Sequence, residues 1–360
     1  MNLYKLPFLH LVIMKSKLRL SVYLFVLVMS IGAAQDYKVH SHNDYRQNIP
    51  FWKAFAAEVQ SIEVDVFLHD GNLLVAHELN EVDKNRTLQR LYLEPLNEAL
   101  ALAQFDNKSL QLLIDIKSDA YKTLDVIVGV LEEYPMIIEN ESISILISGN
   151  RPNPFEYVNY PQFISFDYQS LEPVTDVAIL DKIGMVSLSF ANFSEWNGKG
   201  RLTAEDYKTV TDVIAKAHEL KKPFRFWATP DSKSAWKAFA AMDVDFINTD
   251  MIYECVSYLN TLKERVVQNT VFSKVYQPTF ESDKKKQKPK NVILLIGDGN
   301  GLTQISSATL ANNGELSLTQ LKSIGFLKTQ SADDFTTDSA GAGTAISTGQ
   351  KTNNRAIGTD

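Results

Sequence analysis

Two acids spaced two residues apart, Glu63 and Asp65, sit inside the apolar run Ile62-Glu63-Val64-Asp65-Val66. Side chains alternate faces along a strand, so both carboxylates project to the same side. A second run, Leu113-Ile114-Asp115-Ile116-Lys117, repeats the device with an acid and a cation. Carboxylates in such surroundings are costly to bury unless they are paired or bound to metal. With Asp115 on another strand as the third acid, they make an oxygen-rich pocket suited to a hard divalent ion, Ca²⁺ or Mg²⁺. His40 and His42 follow Val39, and Asp167, Trp227 and Asp250 stand at or just past the ends of further apolar runs. Taken singly, each residue has a plainer reading. His69 and His218 are read as structural or exposed, Glu63 and Asp65 could line a solvated strand face, Lys117 alone would be a surface lysine, and Trp227 is read as core. Only the joint pattern points to catalysis.

These residues need a frame that brings distant runs to one place. Short β-branched or apolar runs occur near Val39, Ile62 to Phe67, Leu112 to Ile116, Ile143 to Ile147, Phe163 to Phe166, Met185 to Leu188, Phe224 to Trp227 and Phe246 to Asn248. Helical segments separate most of them. Over Thr203 to Leu220, for example, Val210, Val213, Ile214 and Ala217 share one face at a 3.6-residue period. The turn signal Asp70-Gly71-Asn72 adds a hairpin strand at Leu73 to Val75. This alternation predicts an α/β chain built as a (β/α)8 TIM-type barrel, although a doubly wound sheet would alternate similarly. Polar residues at the strand ends favour the barrel, whose chemistry lies at the C-terminal ends of its strands.

The segments His40-Ser41-His42-Asn43-Asp44-Tyr45, Ser61-Ile62-Glu63-Val64-Asp65-Val66-Phe67 and Val75-Ala76-His77-Glu78 occur in that order. Together they resemble the glycerophosphodiester phosphodiesterase and phosphatidylinositol-specific phospholipase C superfamily. Leu113 to Lys117, Phe226-Trp227 and Asn248-Thr249-Asp250 extend the match over roughly residues 38 to 260. The resemblance implies His42 and His77 as catalytic histidines and Lys117 as an added charge at the phosphoryl group. It also implies Asn43, Glu63, Asp65 and Asp115 as metal ligands, with Asp115 where many members have Glu. His40 competes with His42 for the leading role, because many diesterases carry His-Arg-Gly where this chain has a second histidine. The chemistry implied is cleavage of a phosphodiester by paired imidazoles, whose ordinary pKa of about 6.5 allows opposite protonation states near neutrality.

Beyond the barrel, residues 281–290 are charged and apolar-free, the composition of a linker. A strand is expected at Asn291 to Ile296, delivering Asp298 into a glycine turn. Downstream, small residues after Ser339 let a helix begin there, and its N-terminal N–H groups would favour a phosphate beside the hydroxyl. These two segments resemble alkaline phosphatase. That family implies Asp298 as a metal ligand, Ser339 as the phosphoryl-accepting nucleophile, and Zn²⁺ and Mg²⁺ as cofactors. The family's later Asp and His ligands have no counterpart, since no histidine follows His218. The expectation is therefore an incomplete α/β module of about residues 290–360, inactive on monoesters by itself and loosely folded or aggregation-prone.

At roughly 150 residues per domain, 360 residues predict two or three units. The expected units are a signal peptide at 1–34, a barrel at 36–266, a linker at 267–289 and the phosphatase-like segment at 290–360. Lys15, Lys17 and Arg19 precede the apolar run Leu20 to Ile31 and then Gly32, Ala33 and Ala34, the order of a cleaved export signal. That run is shorter than the roughly 20 residues a bilayer span needs. Met14 begins a cleaner signal than Met1. A net charge of -7 argues against nucleic-acid binding, and the one cysteine excludes an internal disulfide. The expected protein is a secreted or periplasmic, metal-dependent hydrolase of glycerophosphodiesters or phospholipid head groups. The alternatives are a phosphatase whose remaining half is missing and a dead barrel that binds phospho-head groups.

Overall fold

The computed structural model describes residues 37–102, 109–265, 268–281, 283 and 288–359. The expected export signal at 1–34 lies outside them. Two compact units divide after Arg265.

In the first unit, nine strands form one sheet. They are β1 (Lys38–Ser41), β2 (Ser61–His69), β3 (Asn72–Val75), β4 (Leu110–Ile116), β5 (Ile143–Gly149), β6 (Ile164–Tyr168), β7 (Ile183–Ser189), β8 (Phe224–Trp227) and β9 (Phe246–Thr249). The order is β1-β9-β8-β7-β6-β5-β4-β2-β3, and an additional β1–β2 pairing closes it. All strands of the ring run parallel. The antiparallel β3 hangs on β2 through the turn at Asp70 and Gly71, both with positive φ. The first unit is therefore a (β/α)8 barrel and not a doubly wound sheet, which would leave two open edges.

Helices α1 (Trp52–Ala56), α2 (Glu94–Ala101), α3 (Ala120–Glu132), α4 (Val177–Lys182), α5 (Ala204–Glu219), α6 (Lys233–Ala241) and α7 (Ile252–Asn260) follow the strands. Their starts are set by side-chain caps. Asp119, Asp176, Thr203 and Ser232 each accept a backbone N–H of the first turn of α3, α4, α5 and α6. In α5 the buried face is Val210, Val213, Ile214 and Ala217, the stripe that the sequence period predicts.

Alternation along the strands splits the apolar residues in two. Ile62, Val64, Val66, Leu112, Ile114 and Ile116 join the large core that includes the helix faces. Leu113, Leu146, Met185 and Phe246 form a small separate cluster. Register puts Glu63 beside Leu113 and Leu146, and one pleat further on puts Asp65 beside Asp115 and Ser148. The barrel thus changes from apolar to polar toward the C-terminal ends of its strands.

The second unit departs from expectation. Its described α-helices are α8 (Leu302–Ala311) and α9 (Ser339–Thr348), with a 3-10 turn at Leu318–Gln320 between them, and α9 begins at the expected serine. No described residue beyond Arg265 is in a strand. The expected strand at Asn291 to Ile296 is therefore corrected: Val292 is 90% exposed and Leu295 88%. A strand exists only by pairing, and no described segment pairs with this one. Among the described residues, no helix is long and apolar enough to cross a membrane.

Candidate active site

The loop after β1 is held by Asp44, which accepts from Ser41 Oγ at 2.9 Å, Phe51 N at 2.7 Å and Tyr92 Oη at 3.0 Å. Asn43 takes a left-handed conformation at φ 48°. Between them these features turn His42 out of the strand while His40 stays inside. His42 donates from Nδ1 to Asp250 Oδ1 at 2.8 Å, and its backbone N–H bonds Thr249 O at 3.0 Å. The β1–β9 pairing therefore continues into the site. Burial works against the charged imidazole, but the Asp250 hydrogen bond and the Glu63 charge outweigh it and hold His42 above its ordinary pKa.

His77, two residues past β3, donates from Nδ1 to Asp65 Oδ2 at 2.9 Å. Tyr45 Oη lies 2.8 Å from the same oxygen, 2.6 Å from Asn43 Oδ1 and 3.1 Å from His77 Nδ1. Each imidazole thus commits Nδ1 to its own carboxylate, which leaves Nε2 for proton transfer; that of His42 lies 3.4 Å from Asn43 Nδ2 and 3.8 Å from Glu63 Oε1.

Oxygens of Glu63, Asp65 and Asp115 all lie within 4.8 Å of one another. Lys117 Nζ bridges Asp65 Oδ2 and Asp115 Oδ1, at 3.1 Å from each. Arg225 Nη1 lies 2.7 Å from Glu63 Oε2 and donates to Asn248 Oδ1 at 3.1 Å. Two cations therefore face three acids. Burial and the Glu63 charge push Asp115 up to about 7, and the same two causes raise Asp65. Glu63 goes the other way: burial would raise it, but the Arg225 charge and the His40 hydrogen bond hold it well below the usual range. Asp65 Oδ1 is buried and accepts no hydrogen bond, and Asp115 Oδ1 meets Lys117 outside hydrogen-bond geometry. Buried carboxylate oxygens without donors, clustered at this spacing, fit a hard divalent cation. Gly149, at φ +68°, lies against this cluster. A Cβ there would come within 2.9 Å of Asp115 Cγ and 2.5 Å of Ile116 O.

Histidines, acids and cations open on one cavity of about 360 Å³, lined by His42, Asn43, Glu63, His77, Asp115 and Lys117 among others. Asn43 reaches it with its side-chain oxygen engaged by Tyr45. Two expectations change here. His40 does not line the cavity: it is fully buried, its Nδ1 is 2.7 Å from Ser61 Oγ and its Nε2 2.8 Å from Glu63 Oε2. Burial and the neighbouring Arg225 push it down to about 3, so it is a neutral brace. Trp227, expected in the core, is 38% exposed and walls the cavity.

Asp167 stands apart from the acid cluster and braces the barrel, accepting from Ser148 Oγ at 2.8 Å and Ser187 Oγ at 2.6 Å. His218 pairs with Asp245 at 2.8 Å, and His69 is exposed. Arg225 and Tyr45 were not singled out in the sequence. Arg225 carried a usable signal, being one charge within Phe224-Arg225-Phe226-Trp227, just as Glu63 is within β2. Tyr45 carried none beyond its place in the His40 to Tyr45 segment.

In the second unit, Ser339 Oγ donates to Asp298, 3.0 Å from Oδ1 and 2.9 Å from Oδ2. Asp338 caps α9 at Gly341 N. The two expected phosphatase residues are adjacent, and among the described residues no cluster of three ligands surrounds them.

Family models match both parts of the chain: the AIM6-like phosphodiesterase domain over residues 31–107, the glycerophosphoryl diester phosphodiesterase family over 223–251, and alkaline phosphatase over 289–360. Both resemblances hold. Curated relatives include an altered inheritance of mitochondria protein 6 homolog from Arthroderma benhamiae, 26% identical, covering 61% of this chain and 83% of that one. The altered inheritance of mitochondria protein 6 of Kluyveromyces lactis is also 26% identical, over 61% of this chain and 71% of its own. Among solved structures, a glycerophosphodiester phosphodiesterase from Parabacteroides distasonis overlays at TM-score 0.43 with 15% identity, covering 63% of this chain and 98% of that one. The first unit is thus a barrel similar to phosphodiesterase domains, and the second is similar to alkaline phosphatase over residues 289–360.

Proposed function

We propose that the barrel hydrolyses phosphodiesters of the glycerophosphodiester or phospholipid head-group class. The observation that carries this reading is the pair His42 and His77, each held by its own carboxylate and both opening on one cavity beside three clustered acids. One imidazole takes the proton of the attacking hydroxyl, from water or from the substrate itself. A new P–O bond forms as the P–O bond to the leaving alcohol breaks, and the other imidazole, protonated, gives its proton to that alcohol. Positioned acid–base groups of this kind contribute about 10² to 10⁴-fold each.

Glu63, Asp65 and Asp115 would hold a Ca²⁺ or Mg²⁺ ion, which when bound supplies Lewis-acid neutralisation of charge on the phosphoryl oxygens. Lys117 adds positive charge on the same wall. Asp250 and Asp65 keep the imidazole edges aimed, and Arg225 keeps Glu63 ionised inside the barrel. Export, which the sequence of residues 1–34 supports, would put this activity outside the cytoplasm. There a diester product would be a monoester, the substrate class of the phosphatase segment's family.

Hydrolysis of bis(p-nitrophenyl) phosphate tests the reading. The expected result is turnover that is abolished by chelator and restored by Ca²⁺ or Mg²⁺, and that falls at least about 10²-fold in His42→Ala and in His77→Ala. Turnover indifferent to both substitutions would refute it.

A further inference from the structure

A groove of about 380 Å³ runs on from the cavity, sharing Gly149, Asn150 and Gln169 with it. The two spaces differ in charge. The cavity is walled by acids, whereas Arg151 is the only charged residue among the described ones that line the groove. Arg151 is half-buried and held in place: its Nη1 donates to Gly149 O at 2.8 Å and its Nε to Tyr157 Oη at 3.2 Å. Tyr157 is itself fully buried and stacked on Phe166 at a centroid distance of 3.8 Å, so the anchor is rigid.

These two bonds use two of the five N–H donors of a guanidinium. The cavity's own cations are all neutralised, Lys117 by Asp65 and Asp115, and Arg225 by Glu63. Arg151 makes no ion pair with any described carboxylate. A fixed, unneutralised fork in a groove free of acids is the arrangement that receives a carboxylate or phosphate.

Building on the phosphodiesterase reading, we propose that this groove is a second, anion-binding subsite. The preferred substrate is then a phosphodiester with a further anionic group, a phosphate monoester or a carboxylate, on one of its alcohols. The shared walls at Gly149, Asn150 and Gln169 let one molecule occupy both spaces, with the scissile phosphorus in the cavity and the second anion against Arg151.

Matched substrate pairs test this on the full-length, metal-loaded protein. Glycerophosphoinositol 4-phosphate against glycerophosphoinositol isolates a phosphate, and glycerophosphoserine against glycerophosphoethanolamine isolates a carboxylate. The expected result is a kcat/KM preference of about tenfold or more for the anionic member of at least one pair, carried mainly by KM. That ratio collapses in Arg151→Gln and is partly kept in Arg151→Lys, which a purely structural role would not produce. A ratio near one in the unsubstituted protein, or one that survives Arg151→Gln, would overturn the subsite.

Glycerol 3-phosphate binding in the presence of EDTA, followed by titration calorimetry, is independent of turnover. Binding weakened about tenfold by Arg151→Gln supports the subsite, and equal binding overturns it. If no diester is cleaved, the phosphodiesterase reading fails, and this titration alone decides the subsite.

Discussion

Replacing Gly149 by alanine should cripple cation binding while leaving the barrel folded. A Cβ at this position would stand 2.9 Å from Asp115 Cγ and 2.5 Å from Ile116 O, against the 3.4 Å at which ordinary contact begins. The Asp115 carboxylate can swing aside, but Ile116 O, which accepts from Asn150 N at 2.8 Å, can be relieved only by a shift of the turn at 149–150, so carboxylate and turn both move, by roughly 0.5 Å or more. Side chains that bind metal must be held to within about 0.5 Å of their productive positions. The substitution also places a non-glycine residue at φ +68°, which costs about 1 to 2 kcal/mol.

Gly200 separates the two effects. Its φ is +65°, but its Cβ would meet nothing within 4 Å. Calorimetric titration with Ca²⁺ or Mg²⁺, whichever binds the unsubstituted protein more tightly, should show affinity weakened at least about tenfold in Gly149→Ala, equivalent to about 1.4 kcal/mol. Gly200→Ala should bind as the unsubstituted protein does. Undiminished affinity in Gly149→Ala, or an equal loss in Gly200→Ala, would refute the reasoning.

Because Asp115 is pushed up to about 7, cation affinity should fall by up to about tenfold per pH unit below that value, as a proton competes for the ligand. A flat profile between pH 5 and pH 8, measured by titration, would contradict this. The sign for the cation-free barrel is the reverse of the usual carboxylate case. Its folded pKa lies above the unfolded one, so the Asp115 contribution to denaturant stability should decline as pH rises from about 4 to 7. His40, pushed down to about 3, contributes the opposite slope below about 6.5, so the Asp115 contribution is read as the difference between the unsubstituted protein and Asp115→Asn, and bound cation should remove it. Arg225→Met should destabilise the barrel by about 3 to 5 kcal/mol, because it leaves Glu63 buried without its partner; an unchanged denaturant midpoint would show the pair to be dispensable. In the second unit, Ile293→Lys with Leu295→Lys should raise solubility without altering diester turnover, since both positions are exposed. Hydrolysis of p-nitrophenyl phosphate should be unaffected by Ser339→Ala, because Ser339 Oγ meets only the Asp298 carboxylate.

The barrel strands are legible in the sequence because each must satisfy two environments at once. Ile62, Val64 and Val66 turn to the helices, and Glu63 and Asp65 turn to the barrel axis, so the period of two is written into β2. The hairpin at Asp70-Gly71 and the helix start at Ser339 are equally local, set by turn and cap chemistry. What depends on partners is not legible. Asn291 to Ile296 has the composition of a strand, yet nothing described pairs with it. His40 and His42 are indistinguishable by type, and the left-handed turn at Asn43 is what leaves one sealed against Arg225 and exposes the other to the cavity. Arg225 is visible as a charge among aromatics, but its role needs Glu63, 162 residues away.

The most direct measurement is the anomalous scattering of Mn²⁺ in crystals of the protein, with Mn²⁺ standing in for the hard divalent ion. The account predicts one strong peak in the barrel, within coordination distance of Glu63, Asp65 and Asp115 and on the wall shared with His42 and His77. Saturating Mn²⁺ with no peak there, or a peak touching none of those three acids, would contradict it.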